Sequence, residues 1–324
     1  MPSKFRLKQI PEDFIVREIL DEKPREKWKE KIEMLHGKKT KKTCGKGGEY
    51  LWLTMKKTGV DFFSALEKVA GGLGIEQHRI GYAGVKDKKA VTYQTLSLRG
   101  VKKEDLQKLK IEGVEFSDFR YMKRYLKLGD HSGNFFKITL RNLTDKESER
   151  VRKNLGKIKE KGFVNYYGGQ RFGFEGRNHL IGRDILKGKT EILEKFAKKQ
   201  KTFRLMFIHA YQSWVWNEVA KKLPVEDIRI PVVGHKTRLE DYPESGKTIK
   251  VLLKKDGIEL EDFRIRGFPE LSCEGEERRM VVRPENLRYA VGKDELNRGM
   301  GKVVLEFSLP PGSYATVLVE EAAG

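Results

Sequence analysis

Apolar residues in this chain switch repeatedly between period two and helical spacing, without a regular strand–helix–strand cadence. Leu51, Leu53 and Met55 alternate as a strand. Asp61 then caps a helix whose apolar face is Phe62, Leu66 and Val69, with its end expected at Gly71-Gly72. Strand character resumes over 91–98 and again over 134–142, where Phe135, Phe136, Ile138 and Leu140 indicate a buried strand. Val151, Leu155 and Ile158 stand at helical spacing within 145–161. A longer helix is expected at about 203–223, carrying Leu205, Ile208, Tyr211, Val215 and Val219. Residues 302–307 return to strand character, Pro310-Pro311-Gly312 breaks the chain, and 313–321 reads as a terminal helix. Strands distributed this way do not build a doubly wound parallel sheet, so the expected class is α+β.

Two regions interrupt the pattern. Residues 24–49 are rich in Lys and Gly and read as an exposed basic loop after a short helix. Lys38, Lys39, Lys41 and Lys42 in it are candidate contacts for a polyanion such as nucleic acid. Residues 224–275 mix Pro, Gly, charges and short β-like runs at 230–233 and 248–253, as a small inserted module would. The length of 324 residues suits one large domain or two ordinary ones. There are 67 Lys and Arg against 47 Asp and Glu, a net charge of +20, which favours a polyanionic partner: nucleic acid or an anionic membrane. A thermophile surface accounts for abundant charge of both signs but not for the positive excess. Cys44 and Cys273 alone exclude a disulfide framework and a four-cysteine zinc site, and they fit a reduced cytoplasmic setting. No apolar run approaches the roughly 20 residues that span a bilayer, so no membrane association is expected.

Most familiar chemistries find no residues here. Gly71-Gly72-Leu73-Gly74 lacks the Lys-Ser/Thr of a phosphate loop. The histidines show no metal-ligand spacing, and His209 on an apolar helix reads as a core or supporting residue. Two polar clusters remain. In the first, Asp87 lies among Lys86, Lys88 and Lys89 at the entrance to a strand. Cations keep such a carboxylate ionised, as a base or nucleophile meeting a polyanion requires; a solvated loop with local ion pairs is the alternative. The second is Asn165-Tyr166-Tyr167-Gly168-Gly169-Gln170-Arg171-Phe172-Gly173. Rings offer stacking faces, glycines allow close backbone approach, arginine meets phosphate, and asparagine can read the edge of an extruded base. The alternative is a buried aromatic turn.

These clusters carry a family resemblance. Gly84-Val85-Lys86-Asp87-Lys88-Lys89-Ala90-Val91-Thr92-Tyr93-Gln94 resembles the signature G-x-K-D-x-x-A-x-T-x-Q of the TruD family of tRNA pseudouridine synthases. The second cluster resembles that family's N-Y-[FY]-G-x-Q-R-F-G. Lys8-Gln9-Ile10-Pro11-Glu12-Asp13-Phe14 resembles its K-x-x-P-E-D-F, and Pro310-Pro311-Gly312-Ser313-Tyr314-Ala315-Thr316 its L-P-x-G-[SA]-[FY]-A-T. All four stand in family order.

The resemblance implies a tRNA partner, no protein partner being indicated, and isomerisation of a uridine, typically position 13, to pseudouridine without cofactor or metal. It makes Asp87 the catalytic aspartate and places Phe14, Asn165 and Tyr314 at the target-nucleotide pocket. Tyr167 takes a pocket position that is Phe in some members. Lys8 and Arg171 become accessory or phosphate-facing residues. The implied fold is a pseudouridine-synthase α+β domain with a central, mostly antiparallel sheet, formed by 1–190 plus 279–324. A short insertion domain at 191–278 interrupts it. An ionised carboxylate can attack C1′ of the nucleoside or remove its 2′ proton to give a glycal, and both routes stay open. A non-catalytic tRNA-binding protein or RNA chaperone on the same fold is the competing reading. A metal-dependent RNA enzyme would need clustered acidic ligands that the sequence lacks.

Overall fold

The computed structural model describes residues 5–20, 48–195 and 201–324, so Lys38, Lys39, Lys41 and Lys42 lie outside the described residues. Twelve strands are described: β1 (Phe14–Leu20), β2 (Tyr50–Thr58), β3 (Ile80–Tyr82), β4 (Val91–Arg99), β5 (Val114–Met122) and β6 (His131–Leu143). They continue with β7 (Phe163–Val164), β8 (Arg229–Val232), β9 (Glu276–Arg279), β10 (Val281–Val282), β11 (Glu285–Lys293) and β12 (Gly301–Leu309). The chain divides into two compact units, residues 1–156 with 284–312 and 323–324, and residues 157–283 with 313–322. The expected insertion at 191–278 lies inside the second.

The first unit is built on one eight-stranded sheet in the order β11-β12-β6-β1-β4-β2-β5, with β3 beside β4. Helices pack with this mixed sheet, as the α+β class requires. The alternation seen in sequence sets the core face of β2: Leu51, Leu53 and Met55 are buried and pack with Phe62, Leu66 and Val69 of the helix Phe62–Leu73. Asp61 caps that helix by accepting the Ser64 N–H at 3.0 Å. The helix runs through Gly71-Gly72, where its end was expected, and stops at Gly74. Gly74 adopts φ +62°, the left-handed backbone that favours glycine, whereas Gly71 and Gly72 stay helical.

One pairing sets the position of the chemistry. β1 and β4 are parallel, with Ile15 opposite Val91, while the other pairings of this sheet are antiparallel. Parallel strands begin at the same edge of a sheet. The segment entering β1, which carries Lys8, and the loop entering β4, which carries Asp87, therefore meet there.

A buried ion cluster fixes the entry to β1. Arg141, inside β6, donates through Nε to Asp13 Oδ1 at 2.7 Å, through Nη1 to Asp294 Oδ1 at 2.8 Å and through Nη2 to Glu295 Oε1 at 3.1 Å. Arg141, Asp13 and Asp294 are buried. Burial alone would lower the Arg141 pKa, but the three carboxylates raise it above the usual value. Burial likewise opposes ionisation of Asp294, yet N–H donors from Asn142, Asn297 and Leu296, together with Arg141, hold its pKa well below the usual carboxylate range. Asp13 also accepts the Ile10 N–H at 3.1 Å, closing the turn Pro11–Asp13. Backbone bonds between Arg6 and Arg141 at 2.9 and 3.0 Å tie down the residues just upstream.

The second unit packs around the helix Lys201–Ala220, whose Tyr211, Val215, Trp216 and Val219 are buried among Ile230, Val233, Ile249, Phe263 and Leu271. Residues 248–253, expected as a β-like run, belong instead to the helix Pro243–Asp256. Pro243 occupies its first turn, Gly257 closes it at φ +65°, and Ile249, Leu252 and Leu253 fall on one helical face. The capping residues decide the structure here over an aliphatic run that also suits a strand. β7 pairs with β10, and β8 with β9.

Removing the Arg141 guanidinium leaves buried carboxylates uncompensated. Arg141→Ala should lower the free energy of unfolding by about 3–5 kcal/mol, read from urea denaturation. Because the folded-state pKa of Asp294 is depressed, its contribution is full above the ordinary carboxylate pKa and is lost as pH falls below it. The melting temperature should accordingly drop on acidification from about pH 5 to pH 3.

Candidate active site

In the first unit, Asp87 sits in the loop between β3 and β4. Several hydrogen bonds brace this loop. The buried Gln94 amide donates to the Gly84 carbonyl at 2.9 Å, Lys57 Nζ donates to the Asp87 carbonyl at 2.5 Å, and Gly59 N–H donates to the Ala90 carbonyl at 3.3 Å. The Asp87 carboxylate itself accepts from Lys8 Nζ, with Oδ2 at 2.7 Å. Its side chain is 37% exposed, against 16% for Lys8, so the pair is oriented but open to a ligand. Lys8 has φ +60° and carries its ammonium 4.1 Å over the Phe14 ring, which is buried edge-on to Phe136. Lys8, Phe14 and Asp87 are thus brought together.

The cation expected to serve Asp87 was one of its neighbours in sequence. Lys86 turns instead to Glu18, 3.2 Å away, and Glu18 Oε2 also accepts the Thr95 N–H at 3.3 Å. Side chains of adjacent residues diverge in an extended loop, so the ion partner comes from another strand's approach. Lys57 is a residue that the motifs miss. It continues the buried stripe Leu51, Leu53, Met55 by one more step, and a lysine in that register is the signal that marks it. Its ammonium is fully buried and donates to the carbonyls of Val60 at 3.1 Å and Asp87. Burial drives its pKa down to about 8, against the upward pull of the Asp87 and Asp61 carboxylates. An ammonium taken out of water loses several kcal/mol of solvation, which these two charged hydrogen bonds offset in part.

In the second unit, Asn165, Tyr167, Arg171 and Tyr314 come together. The Tyr167 ring lies edge-on to Trp216 at 5.7 Å and to Tyr314 at 6.3 Å, with Arg171 5.4 Å away. The Asn217 amide clamps the Tyr167 backbone, donating to its carbonyl at 3.0 Å and accepting its N–H at 2.9 Å. Gly168 lets the backbone approach the Tyr314 ring closely: a Cβ there would stand 3.1 Å from it. Arg278 organises the cluster and was not evident from sequence. It lies 4.0 Å from the Tyr167 ring and donates through Nη2 to the Asn165 carbonyl and Oδ1, both at 2.8 Å. Burial lowers its pKa, opposed by Tyr167 and Tyr314. Only the fold brings β9 to the 165–173 loop, so no local pattern announces Arg278.

A cavity of about 340 Å³ opens beside Tyr167 and Arg171, with His209, Gln212 and Ser213 in its wall. That volume lies within the span of small-ligand pockets, about 300–1,000 Å³. Arg171 Nε is buried without a hydrogen-bond partner, and Arg171 assists burial in pushing the His209 pKa down to about 4. His209 therefore lines a cavity rather than filling the core. Among the described residues, no group of three or more His, Cys, Asp or Glu is arranged to hold a metal, and no helix is long and apolar enough to cross a membrane.

The family model described as tRNA pseudouridine synthase D (TruD) matches residues 2–201 and 226–322. The chain belongs to the TruD family. It is 31% identical to a probable tRNA pseudouridine synthase D 1 of Methanocaldococcus jannaschii, over 97% of this chain and 94% of that one. It is 30% identical to tRNA pseudouridine synthase D of Wolinella succinogenes, over 99% and 95% of the two chains. The crystal structure of a putative tRNA pseudouridine synthase D from Methanosarcina mazei superposes with a TM-score of 0.74. That structure covers 100% of this chain and 94% of its own at 24% identity, which shows a shared fold. Within the TruD family match lie Lys8, Phe14, Lys57, Asp87, Asn165, Tyr167, Arg171, Arg278 and Tyr314.

The His209 imidazole gives a direct check of the second cluster in this TruD-family chain. By NMR titration, His209 should show a midpoint near pH 4 and stay neutral at pH 7. Its folded pKa lies below the unfolded value, so the associated stability is complete above about pH 6.5 and is lost as pH falls toward 4.

Proposed function

We propose that this chain is a tRNA pseudouridine synthase in which Asp87 acts on the ribose of a target uridine. The observation that carries the reading is the Asp87 carboxylate itself. It stands in the family's signature loop, held by Lys8 at 2.7 Å and open to a substrate. The isomerisation breaks the bond from C1′ to N1, turns the uracil, joins C1′ to C5, and moves the C5 proton to solvent while N1 gains one. Atoms and electrons balance within the nucleoside, so neither cofactor nor metal is called for. Asp87 either adds to C1′ and later leaves, or takes the 2′ proton and returns it. Lys8 keeps one carboxylate oxygen engaged and offsets repulsion between an anion and the phosphates of RNA.

The aromatic cluster of the second unit supplies RNA-binding chemistry. Tyr167 and Tyr314 offer ring faces, Arg171 and Arg278 supply positive charge, and the neighbouring cavity suits an unstacked base. Asn165 has its amide engaged, with Oδ1 accepting from Arg278 and Nδ2 donating to the Arg279 carbonyl at 3.3 Å. It would read a base edge by exchanging one of these bonds. Position 13 of tRNA is the target proposed, and the cytoplasm is the setting proposed for the reaction.

Site-resolved pseudouridine mapping of total tRNA incubated with the protein should show a new pseudouridine at position 13. Asp87→Asn should lower turnover by at least about 10³-fold while the Kd for tRNA stays within a few-fold. Turnover retained by Asp87→Asn would sink the catalytic assignment. Arg278→Lys cannot reproduce a planar guanidinium over Tyr167 together with bonds to both oxygens of Asn165. It should raise KM for tRNA by about tenfold in steady-state assays.

A further inference from the structure

We infer that Lys57 is a positioning residue for the reaction: its buried ammonium fixes the main chain of Asp87, while Lys8 fixes the side chain. The inference rests on the reading of Asp87 as the reacting carboxylate. Three observations lead to it. Lys57 occupies a core position on β2 where Leu51, Leu53 and Met55 precede it, and an apolar residue there would extend the same stripe without loss of solvation. Its donors reach the carbonyl of Asp87 and that of Val60 rather than a surface partner. The Gln94 and Gly59 bonds hold Gly84 and Ala90 at the flanks of the loop and Lys86 pairs with Glu18, whereas Lys57 donates to the main-chain carbonyl of the reacting residue itself. A carboxylate that must line up with C1′ or the 2′ proton tolerates little displacement, and a shift of about 1 Å can cost 10²-fold in rate.

The charged groups acting on Lys57 are the carboxylates of Asp87, from the β3–β4 loop, and Asp61, from the helix cap. Its partners in strand register, Thr92 on β4 and Val114 on β5, carry no charge. Deprotonation removes one donor and the charge from both carbonyl bonds, so turnover should fall as pH rises through the Lys57 pKa, about 8.

Lys57→Met keeps the length and apolar stem and removes the ammonium. Its kcat should fall by about 10²-fold, with KM for tRNA within about twofold and the melting temperature unchanged or raised. A wild-type kcat in Lys57→Met overturns the inference, and it leaves the Asp87 reading standing where Asp87→Asn is inactive. The pH profile decides independently, including where Lys57→Met does not fold. Wild-type kcat should fall through an alkaline limb near pH 8. Asp61→Asn, which preserves the helix cap but removes a charge that raises the Lys57 pKa, should move that limb to lower pH. Titration of uracil would not respond to Asp61. A kcat constant from pH 7 to 9, or a limb that Asp61→Asn does not move, overturns the inference.

Discussion

Arg141 is the cation on which the arrangement around Asp87 depends. One buried guanidinium joins the turn before β1, the interior of β6 and the loop between β11 and β12 through Asp13, Asp294 and Glu295. Arg141, Asp13 and Asp294 are buried, and a buried charge that loses its partner is left without compensation for its lost solvation. With the cluster complete, the N-terminal segment is held on both sides of Lys8: by the Arg6 backbone bonds before it and by Asp13 after it. Lys8 then keeps its left-handed backbone and presents its ammonium to Asp87. The Asp of the P-E-D-F motif is structural in this chain, and the lysine five residues earlier meets the carboxylate.

The parallel pairing of β1 with β4 converts that anchoring into chemistry. It brings the entry of one strand and the entry of another to the same sheet edge, so a residue at position 8 and one at 87 form an ion pair. Two lysines then act on one aspartate at different atoms. Lys8 touches the carboxylate and stays partly exposed; Lys57 touches the backbone carbonyl and is buried. The side chain is thus oriented by one lysine and the main chain anchored by another.

Much of this was legible in the sequence. The alternation Leu51, Leu53, Met55 and the Asp61 cap gave a strand and a helix that the structure contains, and the Asp87 and Asn165 motifs mark the two clusters. What local pattern could not supply was partnership. Lys86 adjoins Asp87 in sequence yet pairs with Glu18, because consecutive side chains in an extended segment point apart. Arg278 reaches Asn165 only through the pairing of distant strands. The 248–253 run reads as β-like on its aliphatic residues yet is helical, and Pro243 with Gly257 mark the ends of that helix. Lys57 was readable in principle, as a charge in phase with an apolar stripe.

The strand order carries a consequence for synthesis. β6 lies between β1 and β12, so a strand near the N-terminus is joined through it to one made among the last residues of the chain. Until the ribosome has released the β11–β12 hairpin, β6 has an open edge and Arg141 lacks its Asp294 counter-charge. Pairings this distant in sequence close slowly and late. A chain without β11 and β12 therefore lacks the Asp294 anchor beneath the segment that carries Lys8.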